Sequence, residues 1–160
     1  MRKIFLLVSV MALSLAMVSC SQASNTELVT AEEFTIPDIE GNPVSLSDYK
    51  GKSNVLLFFW TTWCPFCRQE LKKLNSKAGD LETDGLQVLT INVGESKEKV
   101  IKYFKANAIV FKALVDENTA VSDLYRIGGV PTFFLIDTNG KVVLSENYFP
   151  GNYKEILSQN

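Results

Sequence analysis

Seven consecutive residues, Asn54 to Trp60 (NVLLFFW), constrain the fold of this chain more than any other segment. Beyond Asn54 the run is wholly apolar, with no polar residue alternating into it. A strand with one wet face alternates, whereas a strand covered on both faces does not. The run therefore predicts a central strand with elements packed on both sides of its sheet. After a break at Gly85, Leu86 to Val93 (LQVLTINV) reads as a second central strand.

Helical and extended segments alternate around these two. Pro65 to Ala78 reads as a helix with Leu71, Leu74 and Ala78 inward, and Lys97 to Asn107 as another with Val100, Ile101 and Phe104 on one face. Phe111 to Val115 fits a short strand, and Thr119 to Tyr125 a short helix stopped by Gly128-Gly129. Thr132 to Asp137 and Lys141 to Ser145 flank the turn Thr138-Asn139-Gly140 as a hairpin, and Asn152 to Ser158 ends the chain as a helix. Upstream, Phe34, Ile36 and Ile39 face Val44 and Leu46 across Glu40-Gly41-Asn42-Pro43, a turn between two short extended pieces. The expectation is an α/β domain over residues 31–160, with a central mixed β-sheet flanked by helices, an N-terminal β-hairpin and an inserted strand-helix element.

Composition removes several functions. With 160 residues, 46% hydrophobic, 21% charged and a formal charge of −2, the chain is ordinary globular material for one compact domain. No basic excess supports nucleic acid as a partner. Histidine is absent, which excludes a Ser-His or Cys-His couple, an HExxH zinc site and His-ligated copper. The three cysteines, Cys20, Cys64 and Cys67, are too few for a four-ligand zinc site within one chain.

The first twenty residues read as an address. Arg2 and Lys3 precede Ile4 to Val18, an uncharged apolar run of secretory-signal length that is short for a membrane span. The run ends in Met17-Val18-Ser19-Cys20, which resembles a bacterial lipobox, with Met17 where Leu is usual. That resemblance implies a lipoprotein-type signal over residues 1–19, lipidation of Cys20 and a polar tether through residue 30; a plain signal peptide is the alternative. Either places the domain outside the cytoplasm, where disulfides persist.

The chemistry centres on Trp63-Cys64-Pro65-Phe66-Cys67, directly after the buried strand and opening a helix. Two cysteines three apart face each other across one turn. Cys64 would sit at the helix N-terminus, where free N–H groups and the dipole favour a thiolate. Pro65 suits the first turn, and Cys67, one turn deeper, is the natural resolving thiol. A purely structural disulfide would close so small a ring that it would stabilise little. Half of a metal site is the other bland possibility; the position after a buried strand favours a redox dithiol.

Phe58 to Cys67 (FFWTTWCPFC), preceded by Leu46 to Lys52 (LSDYKGK) and followed by Asn92 to Lys97 (NVGESK) and Gly129 to Asp137 (GVPTFFLID), resembles the extracytoplasmic thiol-disulfide oxidoreductases of the TlpA/ResA type. The resemblance runs from about Phe34 to Tyr148 and implies a thioredoxin-like fold and dithiol-disulfide exchange at Cys64 and Cys67 without a cofactor. It implies a cis Val130-Pro131 bond facing the cysteines, with the Val130 backbone offered to a substrate peptide. It implies that Glu70, one turn beyond Cys67, is partly buried, with a raised pKa, and exchanges a proton with Cys67; spacing alone favours a solvated Glu70 paired with Lys73. Trp63, Pro65 and Phe66 would complete the substrate-binding surface, although the family's usual dipeptide has proline second rather than first. The partners implied are protein disulfides or thiols, a membrane thiol-disulfide donor and the membrane itself through the anchor, with the protein a monomer. Two alternatives stay open: a thiol peroxidase of the peroxiredoxin type, with Thr61 three before Cys64, and a Cu(I) carrier using the thiolate pair.

Overall fold

The computed structural model describes residues 28–159. The signal segment, Cys20 and the tether up to residue 27 lie outside the described residues. Seven strands and five α-helices follow in the order β1 (Thr35–Pro37), β2 (Pro43–Ser45), β3 (Asn54–Trp60), α1 (Pro65–Asn75), α2 (Ala78–Thr83), β4 (Leu86–Val93), α3 (Lys97–Asn107), β5 (Lys112–Asp116), α4 (Ala120–Leu124), β6 (Thr132–Ile136), β7 (Val142–Glu146) and α5 (Tyr153–Ser158). β1 and β2 form the N-terminal hairpin. The other five make one mixed sheet in the order β5-β4-β3-β6-β7, with β3, β4 and β5 parallel, β6 antiparallel to β3 and β7 antiparallel to β6. α3 and β5 are the inserted helix and strand, crossing over to add an edge next to β4.

β3 is the middle strand, and every residue from Val55 to Trp60 is buried. Its alternate side chains feed two cores. Leu56, Phe58 and Trp60 pack with Leu71, Leu74, Val100 and Phe104 of α1 and α3. Val55, Leu57 and Phe59 pack on the opposite face with Phe34, Val44, Leu46 and the α4 residue Val121. This two-sided burial is why the run carries no polar residue. Phe58 stacks on Phe133 of β6 at 4.4 Å between ring centroids. Each large side chain so buried contributes about 1.5–3 kcal/mol relative to exposure.

The helix expected over residues 65–78 is two helices. Asn75 is the last residue of the first, and its amide ties that end to the segment after α3: Nδ2 donates to the Ala108 carbonyl at 3.1 Å and Oδ1 accepts from the Val110 N–H at 3.0 Å. Lys77 then leaves helical geometry (φ −111°, ψ 8°) and the chain restarts at Ala78. Leu81, seven residues after Leu74, is fully buried, while Ala78 is only half-buried. Ile101 is likewise half-buried, leaving Val100 and Phe104 as the core contacts of α3. Val29 and Thr30, read from sequence as the end of the tether, already pair with the sheet: the Val142 N–H donates to the Val29 carbonyl at 2.8 Å, and Thr30 bridges Lys141. Among the described residues no helix is long and apolar enough to cross a membrane.

Candidate active site

Parallel neighbours end on the same side of a sheet, so the loops after β3 and β4 meet. Trp60 is level with Asn92, and the chain beyond each carries the site. After Trp60, Thr61 to Trp63 lead into Cys64, which holds extended geometry (φ −75°, ψ 116°) as the N-cap of α1, with Pro65 in the first turn. Pro65 has no N–H to waste there. The Cys67 N–H donates to Cys64 Sγ at 3.2 Å, giving a negative sulfur a backbone donor.

Cys64 and Cys67 are free thiols, 4% and 0% exposed respectively. The Cys64 thiol donates to the Val130 carbonyl at 3.6 Å across 66 residues of chain. The Val130–Pro131 bond is cis. Its loop is braced, with Asn147 Nδ2 donating to the Pro131 carbonyl at 2.9 Å and the Thr132 hydroxyl donating to the Gly129 carbonyl at 2.7 Å. Around the recessed sulfur stand two exposed rings, Trp63 at 64% and Phe66 at 69% exposure. Burial pushes the Cys67 thiol up to about 12, reinforced by its hydrogen bond and repulsion with Cys64 and opposed by the Thr61 backbone N–H. The two sulfurs are therefore unequal: the outer lies at the rim, and the inner is held as a neutral thiol.

Glu70 combines both arrangements that its spacing permits. One oxygen pairs with Lys73 Nζ at 2.6 Å, yet the Glu70 side chain is only 12% exposed. The other accepts from the Phe149 N–H at 3.2 Å, which ties α1 to the segment before α5. Trp60, by contrast, is fully buried among Tyr103 and Phe104 and belongs to the core.

Glu95 is a residue that the sequence reading missed. Gly94, in the left-handed region at φ +67°, turns the chain after β4 and sends Glu95 back toward the β3 end. There one carboxylate oxygen accepts from the Thr62 N–H at 2.6 Å and from Asn92 Nδ2 at 2.9 Å, while the other accepts from the Thr62 hydroxyl at 2.8 Å and pairs with Lys99. Burial alone would raise this carboxyl. The bonds from Lys99, Thr62 and Asn92 outweigh it and hold the group below its ordinary 4.5. Glu95 thus clamps the loop two residues before Cys64. The available signal was its place just beyond the C-terminal end of a parallel strand beside the motif strand.

Among the described residues no group of three or more His, Cys, Asp or Glu side chains gathers to hold a metal. The chemistry present is two adjacent thiols of unequal burial beside a backbone acceptor and an apolar rim.

Residues 29–145 match the model of the AhpC/TSA family. The thiol-disulfide oxidoreductase ResA of Geobacillus thermodenitrificans is 40% identical over 113 residues, 71% of this chain and 64% of that protein. ResA of Bacillus subtilis is 36% identical over 126 residues, 79% of this chain and 70% of that protein. The chain thus spans less than two thirds of the Geobacillus relative. Among solved structures, the thioredoxin domain of a thiol-disulfide oxidoreductase from Bacteroides vulgatus superposes with a TM-score of 0.71 at 27% identity, covering 82% of this chain and 95% of that one.

Proposed function

The chain belongs to the AhpC/TSA family, and from that membership and the geometry of its two thiols we propose that it is an extracytoplasmic thiol-disulfide oxidoreductase acting on protein disulfides. The Cys64 sulfur carries the proposal: it caps α1, accepts the Cys67 N–H at 3.2 Å and lies 3.6 Å from the Val130 carbonyl, with its partner thiol one turn beneath.

Cys64 reacts as the thiolate. It attacks one sulfur of a substrate disulfide; the S–S bond breaks, and the departing substrate sulfur takes a proton from solvent. Cys64 is then joined to the substrate in a mixed disulfide. Cys67 gives up its proton, with Glu70 as the acceptor, and its sulfur attacks Cys64 Sγ. The second substrate sulfur leaves and is protonated. The substrate gains two electrons and two protons as Cys64–Cys67 becomes a disulfide, and the electrons reside in the cysteine pair throughout. The Val130 backbone beside cis Pro131 aligns the substrate chain, and Trp63, Pro65 and Phe66 cover it. In the cell the protein works as a reductant, recharged by a membrane thiol-disulfide donor, with apocytochrome c thiols before haem attachment as one substrate class. It acts as a monomer held at the outer face of a bacterial membrane through lipidated Cys20.

Cys67→Ser should trap the mixed disulfide. Incubated with a disulfide-bonded protein, that variant is expected to accumulate a covalent complex through Cys64 that dithiothreitol releases, while Cys64→Ser accumulates none. Catalytic consumption of hydrogen peroxide by the reduced chain, without transfer to protein disulfides, would instead make it a peroxidase.

A further inference from the structure

An open groove of about 460 Å³ runs between α1 and the inserted α3, with Pro65, the neighbour of Cys64 in the chain, among its lining residues. One wall carries Pro65, Arg68 and Lys72, and the other carries Tyr103 and Ile109, with Asn75 between them at the far end. The groove is built rather than incidental. Asn75 stitches α1 to residues 108 and 110 through both atoms of its amide, and Tyr103 rests on the buried Trp60 ring at 5.2 Å. It begins at the residue after Cys64, so a chain joined to that sulfur can enter it directly.

None of the lining side chains is acidic, and Arg68 and Lys72 are exposed and one turn apart. Glu70 on α1 and Glu95 just before α3 have lysines of their own, Lys73 and Lys99. Glu98, five positions before Tyr103, lies about 140° around α3 from it. Among the described residues neither Arg68 nor Lys72 stands in an ion pair, so the groove carries two cations on a chain whose overall charge is −2.

We propose that this groove is a specificity site for an acidic segment of the substrate, flanking the cysteine that forms the mixed disulfide with Cys64. The inference rests on the oxidoreductase reading and adds the substrate's chemistry to it. Arg68 stands four residues beyond Cys64 and Lys72 eight, which at 1.5 Å per residue is about 6 Å and about 12 Å along the helix. An extended substrate advances about 3.3 Å per residue, so carboxylates two to four positions from its reacting cysteine meet the two cations.

The test uses two disulfide-linked peptide dimers with one central cysteine per strand, carrying either Glu or Gln at positions two to four on both sides. The second-order rate of oxidation of the reduced full chain is measured with each. Two solvent-exposed charge pairs correspond to about a five-fold advantage for the Glu peptide at low salt, shrinking toward unity at about 0.5 M salt. In Arg68→Gln/Lys72→Gln the Glu-to-Gln rate ratio falls to about one, and in Arg68→Glu/Lys72→Glu it inverts. The ratio is internal to each variant, so a general loss of activity does not mimic the effect. Equal rates in the unsubstituted chain, or an advantage that survives both double variants, overturn the acidic-segment proposal while leaving dithiol exchange standing. If neither peptide nor the uncharged small disulfide dithiodipyridine oxidises the pair, the oxidoreductase reading falls and this inference with it.

Discussion

Replacing Glu95 with alanine removes the acceptor for the Thr62 N–H, the Thr62 hydroxyl and the Asn92 amide together, and unpairs Lys99. Lys99 is 55% exposed and recovers water at little cost. The donors are different: Asn92 is fully buried and Thr62 half-buried, so neither is freely rehydrated. A hydrogen bond to a charged group contributes about 1.5–3 kcal/mol, and these contacts share one carboxylate and do not add independently. Leaving such buried donors without an acceptor costs about 1–3 kcal/mol apiece, so the loss comes to about 2–4 kcal/mol. That is a large part of the roughly 5–15 kcal/mol that holds a domain of this size folded. Urea unfolding at pH 7, followed by tryptophan fluorescence, reads it as a lower midpoint at unchanged slope. Glu95→Gln keeps an acceptor oxygen and should lose roughly half as much. Because Thr62 lies two residues before Cys64, the alanine variant should also change the rate at which Cys64 reacts with iodoacetamide. A loss below about 1 kcal/mol together with an unchanged Cys64 rate would refute the clamp.

The same carboxylate makes stability depend on pH. Its folded pKa lies below 4.5, so between that value and 4.5 the unfolded chain binds the extra proton. The Glu95 contribution is therefore present above 4.5 and lost as pH falls through the folded value, and the acid limb of a urea-midpoint profile should flatten in Glu95→Gln. Cys67 has the opposite sign. With its thiol pushed up to about 12 from 9.0, its contribution is full below 9.0 and lost as pH rises through that window. In a chain carrying Cys20→Ser, iodoacetamide at pH 8 should accordingly label Cys64 alone, and Cys67 only after urea is added, as intact mass will report. Under the proposed role of Glu70 as proton acceptor for Cys67, Glu70→Gln should prolong the mixed disulfide with substrate by about ten-fold or more, measured by acid-quenched gels; an unchanged lifetime would leave Glu70 with only its Lys73 and Phe149 contacts.

What could be read in the sequence was what local pattern determines. The two-sided burial of Asn54 to Trp60 follows from an unbroken apolar run, and the bounds of α3 follow from its periodicity. The cysteine pair was legible because strand, N-cap and resolving thiol lie within fourteen consecutive residues. The split between α1 and α2 was not, because the nearest breaker, Gly79, lies inside α2 rather than at the break. It coincides with the Asn75 contacts to residues 108 and 110, which are made only once α3 is in place. Glu95 was hidden for the same reason. Its partner Thr62 is 33 residues away, and only the parallel pairing of β3 and β4 brings their ends together. For Glu70, spacing offered burial or a lysine partner as alternatives, whereas a long side chain on a half-covered helix face has both.

The most direct measurement is the redox equilibrium of Cys64 and Cys67 in glutathione or dithiothreitol buffers, followed by the fluorescence of Trp63 and Trp60. Dithiol chemistry driven by a membrane donor predicts a single two-electron transition well below about −220 mV, absent from Cys67→Ser. A midpoint near −120 mV would contradict the reducing direction and make the protein an oxidant or isomerase. No transition at all, with both thiols inert, would contradict the oxidoreductase itself.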